Sequence, residues 1–223
     1  MSARGGSTRG RAVVGPTATQ AARRDAGPVT VKGQERRETI LIAARRVFER
    51  LGYVDARVAD IVKEAKVAQG TFYTYFDSKE AVFTELAKQV TTGMLETLKA
   101  ERASGTPRER VRHGLHRFVL AFRPNATFQR LLEQVGTSSP EMSTMRLALR
   151  EDFVRRSARG IEHMQEEGFA DPSIDPVMVA EVLGAMVDQT TFMWLSLGKE
   201  YDEDELLDTL TLVWSRAIGL KEQ

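Results

Sequence analysis

The sequence predicts an all-α protein of about nine helices. From Glu35 onward, apolar residues recur at spacings of three and four, which is the period of a helix with one buried face. No stretch alternates between polar and apolar residues in the way that a half-buried strand does. Helix-start signals also recur, and the clearest are Thr106-Pro107-Arg108-Glu109 and Asp175-Pro176.

The composition excludes several classes of protein. No run approaches the roughly 18 consecutive apolar residues of a membrane helix, and the N-terminus lacks the apolar core of a signal peptide. Cysteine is absent, which excludes disulfides and thiolate metal sites. We therefore expect a cytoplasmic protein with no membrane partner and no cofactor.

The net charge of +1 hides an asymmetry along the chain. Residues 1–34 carry a balance of +5, residues 35–90 a balance of +1, and residues 91–223 a balance of −5. The first 33 residues are rich in Gly, Ser, Thr, Ala and Arg, so they are predicted to be a disordered basic arm. This arm is either a solvated tail or a segment that touches DNA phosphates or a minor groove.

The stretch Val58–Lys79 has the organisation of a helix-turn-helix. Val58, Ile61, Val62 and Ala65 lie at helical spacing, and a second short helix is predicted from about Gln69 to Tyr75. Two short helices across a tight turn form the motif that places its second helix in a DNA major groove. A first helix, from Glu35 to Gly52, is predicted to pack behind them.

The remaining helices follow from the same signals. A long helix is predicted to begin at Asp77, with Glu80 completing a capping box, and to continue for some six turns. Further helices start at Thr106, near Phe128, at Ser139-Pro140, at Asp175-Pro176 and at Asp202. Apolar residues surround most of the helix that follows Asp175, so it needs partners on both sides.

These residues carry a family resemblance. The segment over about residues 36–82 resembles the N-terminal domain of TetR-type (AcrR-like) transcriptional regulators at Ile40, Leu41, Ala43, Ala44, Phe48, Gly52, Tyr53, Asp60, Ile61, Ala65, Val67, Gly70, Thr71, Phe72, Tyr73, Tyr75, Phe76, Ser78, Lys79 and Glu80. The remaining two-thirds resembles the family only in being helical. The resemblance implies an all-helical protein with an N-terminal three-helix DNA-binding domain and a C-terminal helical domain that binds a ligand and forms a dimer.

The resemblance also implies which residues meet DNA. Gln69, Gly70, Thr71, Tyr73 and Thr74 would face the major groove. Gln can make paired contacts to adenine and Thr can meet a base edge. Tyr75 and Lys79 would bind phosphates, whereas Phe72 and Phe76 are expected to be core.

Two positions depart from the family pattern. Arg57 stands where Ser or Thr usually caps the second helix, so either Asp55 caps it or the cap is lost, although Arg57 can still reach a phosphate. Lys66 stands where a turn glycine is usual, and it costs about 1 kcal/mol if the position needs a positive φ.

The resemblance implies a mechanism. A small apolar effector in the C-terminal domain would change the spacing of two DNA-binding domains, and the protein would then leave its operator. The candidate effector residues combine Met and aromatic side chains with a few polar groups: Met94, Leu98, Phe118, Phe122, Met145, Leu149, Phe153, Met186, Gln189, Thr190, Met193 and Trp194.

The predicted organisation follows. Residues 1–33 form the arm, residues 34–80 the helix-turn-helix domain, and residues 81–223 the effector-binding and dimerisation domain. The partners are double-stranded operator DNA, an unidentified effector and a second copy bound through the last two helices, with Trp214 in that interface. The sequence does not distinguish a repressor from an activator, although a repressor is favoured.

Rival readings stay open. His113 and His116 lie three apart on one helix, with Glu109 one turn before His113, so a metal-responsive regulator or a helical enzyme is the alternative. No further Cys or His completes such a site, so we predict neither a metal nor a catalytic residue. An interaction protein that lost DNA binding is disfavoured because Arg57 and Lys66 add positive charge on the expected DNA side.

Overall fold

The computed structural model of the protein describes residues 30–99, 104–136 and 140–221. Within those ranges it contains nine α-helices and no strand, as the sequence predicts. They are α1 (Val31–Asp55), α2 (Val58–Ala65), α3 (Gln69–Tyr75), α4 (Lys79–Lys99), α5 (Pro107–Phe122), α6 (Ala126–Gly136), α7 (Pro140–Glu166), α8 (Pro176–Leu195) and α9 (Glu203–Ala217). A 3-10 turn, Arg123–Asn125, joins α5 to α6. The predicted arm falls mostly on residues 1–29, outside the described residues.

The start of α1 lies four residues before the predicted position. Thr30 is its N-cap, and the Thr30 hydroxyl accepts a 3.1 Å hydrogen bond from the backbone N–H of Gly33. Gly52 has a φ of 79°, so the regular helix breaks there, as the position of this glycine predicts. Residues after Gly52 turn the chain towards α2.

The first three helices enclose a small core. Phe48 of α1, Ile61 of α2 and Phe72 of α3 are fully buried, and Phe76 is 5% exposed. Phe72 and Phe76 are therefore core residues, as the sequence predicts. Such a core fixes the outer face of α3 relative to α1.

Helix starts follow the predicted chemistry with one correction. Thr106 and Glu109 form a reciprocal capping box, in which the carboxylate of Glu109 lies 2.8 Å from the N–H of Thr106. Asp175 accepts from the N–H groups of Val177 and Met178. The α4 cap, however, is Ser78 and not Asp77, because the Ser78 hydroxyl accepts a 3.2 Å bond from the N–H of Ala81.

The two parts of the chain share one continuous core. Helix α7 packs along α8, α5 packs on α9, and α4 packs against both α1 and α5. Helix α6 packs on α1, so it also connects the C-terminal helices to the N-terminal ones. In the described part of the chain, no helix is both long and apolar enough to cross a membrane.

Candidate functional site

The outer face of α3 presents a compact polar surface. Gln69, Gly70, Tyr73 and Thr74 are exposed, and Tyr73 retains 49% of its surface. Positions 73 and 74 lie on the same side of the helix as 69 and 70 because they follow them by three to five residues. Thr71 and Tyr75 are half-buried at the edges of this face. We call the exposed set Gln69, Gly70, Tyr73 and Thr74 the reading face.

Gly70 is not required by the fold. It lies in regular helix, and a Cβ atom added at this position would meet no atom within 4 Å. Glycine in a helix interior costs about 0.5–1 kcal/mol relative to alanine. The protein therefore accepts a less stable helix and leaves the middle of the reading face without a side chain.

The turn between α2 and α3 is strained at Lys66. Its φ of 53° and ψ of 43° are left-handed, and in the described ranges no other non-glycine residue has a positive φ. The backbone N–H groups of Lys66 and Val67 still bond to the carbonyls of Lys63 and Val62, which closes α2. The ammonium group is exposed beside the reading face.

Arg57 does not cap α2 with its side chain. The N–H of Arg57 instead donates a 3.0 Å hydrogen bond to the carboxylate of Asp60, so the cap comes from Asp60 and not from Asp55. A guanidinium group has no acceptor and cannot do otherwise. Arg57 is exposed, and its side chain is left to the surface.

Lys79 makes a structural contact within the protein. Its ammonium nitrogen lies 2.8 Å from the carbonyl oxygen of Tyr53 and 3.3 Å from that of Val54. The same nitrogen lies 4.6 Å from the centroid of the Tyr53 ring. The prediction that Lys79 binds a phosphate stays a prediction, but its side chain already holds the end of α1 against the start of α4.

The hydroxyl group of Tyr53 is a weaker acid than that of an ordinary tyrosine. Burial, and secondly the carboxylate of Glu80, raise the pKa of Tyr53 to about 12. The hydroxyl donates a 3.3 Å hydrogen bond to that carboxylate. Tyr53 is therefore neutral at physiological pH and completes the junction between α1 and α4.

A cavity of about 380 Å³ lies among α4, α5, α6, α7 and α8. This volume is within the range of small-molecule sites in proteins. Five of the predicted effector residues line it: Met94, Leu98, Phe118, Phe122 and Phe153. Those residues come from three helices, so the fold brings together what the sequence places far apart.

Five other predicted residues do not line this cavity. Helix α8 turns Gly184, Asp188 and Phe192 towards it, at a spacing of four. Other faces of the helix therefore carry Met186, Gln189, Thr190, Met193 and Trp194. Gln189 is exposed, and the Trp194 ring lies 5.3 Å below the guanidinium of Arg123. The side chains of Met145 and Leu149 fall outside the described residues.

The cavity also has charged lining residues that the sequence does not predict. Glu133 of α6, Arg146 and Arg150 of α7, and Asp188 of α8 line it together with the amide of Gln129. Arg146 hydrogen-bonds to Glu133, and Arg150 lies 2.5 Å from the carboxylate of Glu181. The available signal is one of two carboxylates, Glu181 and Asp188, in a helix whose other residues are mostly apolar.

Two glycines shape this cavity. A Cβ atom on Gly184 would lie 3.0 Å from the ring of Phe153, and one on Gly136 would lie 2.7 Å from Cδ of Arg146. Glycine at these positions lets an aromatic ring and an arginine stem pass close to the neighbouring helix.

A second cavity of about 390 Å³ shares Leu98, Phe118 and Phe153 with the first. The rings of Phe118 and Phe153 meet edge to face at 5.3 Å. His113 lines this second cavity, together with Arg110, Arg117 and Arg156.

The histidines do not gather into a metal site in the part of the chain that the structure describes. His116 lies 3.8 Å from Glu203, on α9. Glu109 is engaged in capping α5 and not in contact with His113. The geometry therefore gives no support to the alternative of a metal-responsive regulator or an enzyme that uses His113 and His116.

A row of aromatic rings connects the cavity walls to the DNA-binding helices. Phe128 of α6 stacks on Phe83 of α4 at 5.3 Å, and Phe83 meets Phe48 of α1 edge to face at 5.3 Å. Arg45 of α1 adds hydrogen bonds of 3.0 and 3.1 Å to Pro124 and Asn125, just before α6. Helices α4 and α6 thus line the cavity and also pack on α1.

The last two helices expose apolar side chains. Val177, Met178 and Val182 of α8 are 54%, 61% and 61% exposed, and Val213 of α9 is 40% exposed. We call these four residues the apolar face. Trp214 does not belong to it, because that residue is 7% exposed and packs inside the protomer. Its predicted place in a dimer interface is therefore wrong.

Comparison with known proteins adds two family matches. Residues 40–86 match the family described as bacterial regulatory proteins of the tetR family. Residues 111–219 match the C-terminal domain of the transcriptional regulator EthR. The two matches cover the helix-turn-helix and most of the helices that enclose the cavities.

Individual relatives agree with these matches. The HTH-type regulator EthR of Mycolicibacterium smegmatis is 29% identical over 209 residues, which are 91% of this chain and 93% of EthR. An uncharacterized HTH-type regulator of Bacillus subtilis, YdgC, is 33% identical over 176 residues, which are 75% of this chain and 85% of YdgC.

Solved structures show the same fold. The fatty acid degradation regulator FadR of Bacillus halodurans superposes with a TM-score of 0.64, at 21% identity, over 80% of this chain and 94% of that one. A tetR-family regulatory protein of Rhodococcus RHA1 gives a TM-score of 0.68, at 16% identity, over 84% and 99% of the two chains.

Proposed function

Because the chain belongs to the TetR family of transcriptional regulators, we propose that it is a ligand-responsive repressor. It binds operator DNA as a homodimer and leaves that DNA when a small, largely apolar effector fills the cavity of about 380 Å³. The observation that carries the proposal is that α4 and α6 line this cavity and also pack on α1. An effector that moves either helix moves the reading face.

The DNA-binding half of the proposal rests on the reading face. Gln69 has the donor and acceptor for a paired contact to adenine, and Gly70 lets backbone or base edges approach closely. Arg57 and Lys66 are exposed cations at the ends of α2, where phosphates flank a groove-bound helix. Thr71 and Tyr75 are half-buried at the edge of α3, and we expect them to contact sugars and phosphates.

The proposal that the protein forms a homodimer is supported by the apolar face. Two recognition helices must lie about 34–36 Å apart to enter successive major grooves, and this requires two protomers. Three apolar side chains that are each more than half exposed on α8 favour burial against a second copy. Gln189 is exposed on the same helix and adds a polar group near this face.

The proposed release from DNA requires that the effector binds one arrangement of the two protomers more tightly than the other. A ligand that prefers the protomer arrangement with wrongly spaced reading faces by about 1–3 kcal/mol weakens DNA binding by roughly 5–150-fold. The row of rings Phe128, Phe83 and Phe48 gives α6 a packed contact through which it moves α1.

The experiment uses a duplex from the region upstream of the protein's own gene. Fluorescence anisotropy measures binding, and analytical ultracentrifugation measures the oligomeric state. We expect Val182→Glu to sediment as a monomer and to bind the duplex at least about tenfold more weakly, because a buried unpaired charge opposes association. Leu120→Glu, at an apolar residue 47% exposed on α5, is the matched control and should change neither quantity.

The cavity is tested with Leu98→Trp, which fills space in it, and with Leu120→Trp as control. Native mass spectrometry of protein purified from its own host should show a bound small molecule in wild type and control but not in Leu98→Trp. The proposal would be refuted if the wild-type protein is a dimer but binds neither the upstream duplex nor any duplex selected from a random pool.

A further inference from the structure

The cavity contains a carboxylate, Asp188, that none of the described residues pairs. Asp188 lies on α8 between Gly184 and Phe192, one turn from each, and all three line the cavity. Arg146 hydrogen-bonds to Glu133, and Arg150 bonds to both the side chain and the backbone carbonyl of Glu181. In the described residues, no hydrogen bond or ion pair under 4 Å engages the carboxylate of Asp188.

The surroundings of Asp188 disfavour its negative charge. Asp188 is exposed by its accessible surface, and it lies among the residues that line the cavity, whose atoms displace part of the water around the carboxyl group. That desolvation, and secondly the charge of Glu133, raise the pKa of Asp188 above its ordinary value, while Arg150 and Arg146 offset part of the effect. A partly desolvated carboxylate without a partner is costly, and such groups concentrate at binding sites.

Much of the cavity lining is apolar. The rings of Phe118, Phe122 and Phe153 and the side chain of Leu98 line it. Gln129 lines it too, and its amide nitrogen is 2.9 Å from the sulfur of Met94, a weak acceptor. The amide oxygen of Gln129 is a further acceptor in the lining for a group that donates hydrogen bonds.

We propose that the effector is a cationic amphiphile whose apolar body packs against Phe118, Phe122 and Phe153 and whose protonated nitrogen pairs with Asp188. This inference rests on the proposed function of the cavity as the effector site. A cation supplies the missing partner, whereas an anionic head group would meet Asp188 and Glu133. Arg146 and Arg150 also line the cavity, but each already bonds to a carboxylate, Glu133 or Glu181, so they offset only part of that repulsion.

The test compares three probes that share one hydrocarbon chain. Decylamine, 1-decanol and decanoate, each below its micelle concentration, are titrated into the full-length protein by isothermal calorimetry. A hydrogen bond to a charged group predicts that decylamine binds roughly tenfold to a hundredfold more tightly than 1-decanol. Decanoate is expected to bind most weakly of the three.

Asp188→Asn isolates the carboxylate. The change keeps the size of the side chain and removes its charge, so the preference for decylamine over 1-decanol should fall to about threefold or less. Binding of 1-decanol should stay the same, which also shows that the variant is folded. Glu162→Gln, an exposed carboxylate on α7 outside the cavity, is the control and should keep the full preference.

Every contrary outcome overturns the cationic effector, and one of them also overturns the effector role of the cavity. Equal binding of decylamine and 1-decanol, or a decylamine preference that survives Asp188→Asn, overturns the cationic effector but leaves the cavity as an effector site. Tightest binding by decanoate overturns it too and indicates an anionic ligand. Binding of none of the probes to wild-type protein that still binds its duplex overturns both the cationic effector and the effector role of this cavity.

Discussion

The ammonium nitrogen of Lys79 lies 2.8 Å from the backbone carbonyl oxygen of Tyr53. This contact joins the first residue of α4 to the end of α1, across the chain segment that contains the whole helix-turn-helix. Because α4 also lines the cavity, the contact couples the orientation of the DNA-binding helices to the helix that an effector would touch.

Replacing Lys79 tests that junction. Lys79→Met keeps the aliphatic stem and removes the ammonium group, so the Tyr53 and Val54 carbonyls lose their donor. We expect a loss of about 1 kcal/mol in the free energy of unfolding, seen as a Tm lower by about 2–4 °C. Lys88→Met, at an exposed site on α4, is the control. Equal Tm values for the two variants would contradict the structural role of Lys79.

Replacing Lys66 in the strained turn with glycine should raise stability, whereas replacing Lys79 should lower it. Lys66→Gly relieves a left-handed backbone and should raise the free energy of unfolding by about 1 kcal/mol. Lys66→Ala removes the same charge and keeps the strain, so it should not be stabilised. Both variants should lower the slope of log affinity against log salt concentration by about one phosphate contact. An unchanged slope in both would exclude Lys66 from the DNA interface.

Replacing Gly70 with alanine should raise stability and weaken DNA binding. Because a Cβ atom meets nothing at this position, Gly70→Ala should raise the free energy of unfolding by about 0.4–1 kcal/mol. The same methyl group lies on the reading face and should weaken operator binding several-fold. Gly93→Ala, in an exposed and equally open position of α4, should be stabilised without weaker binding. Operator affinity that is unchanged in Gly70→Ala would place this residue away from DNA.

Asp188 predicts an unusual dependence of stability on pH. Its pKa is raised in the folded protein, so above the unfolded-state pKa the folded chain holds a proton that the unfolded chain has lost. The free energy of unfolding therefore falls as pH rises through this interval, and the cost is complete above the folded-state pKa.

Asp188→Asn removes that cost. We expect the variant to have a higher Tm than the wild type at neutral pH and the same Tm below about pH 3, where the carboxyl group is protonated in both states. Thermal melts across this range, with Glu162→Gln as control, measure the difference. A variant that is less stable at neutral pH would show that Asp188 has a structural partner.

The parts of the site that the sequence predicts are the local ones. The reading face and its buried partners Phe72 and Phe76 follow from helical spacing and motif, because a short helix on a small core has only one exposed side. The strain at Lys66 follows from a single position in a tight turn. Each of these inferences depends on residues within about twenty positions of one another.

The cavity could not be predicted in the same way. Apolar residues surround most of α8, so its periodicity does not select the face that turns Gly184, Asp188 and Phe192 inward. The Met and aromatic residues predicted from the segment Met186–Trp194 to bind the effector, Met186, Met193 and Trp194, do not line the cavity. The contact of Lys79 with the Tyr53 carbonyl could not be predicted either, since a backbone carbonyl carries no sequence signal.

The central claim is that the reading face of α3 selects a DNA sequence. Selection from a pool of random duplexes with wild-type protein and with Gln69→Ala measures this directly. We expect wild-type protein to enrich a two-fold symmetric motif whose half-sites lie about one helical turn apart or a multiple of it. Gln69→Ala should relax the same position in both half-sites. Enrichment of no motif, or of an identical motif by both proteins, would contradict the claim.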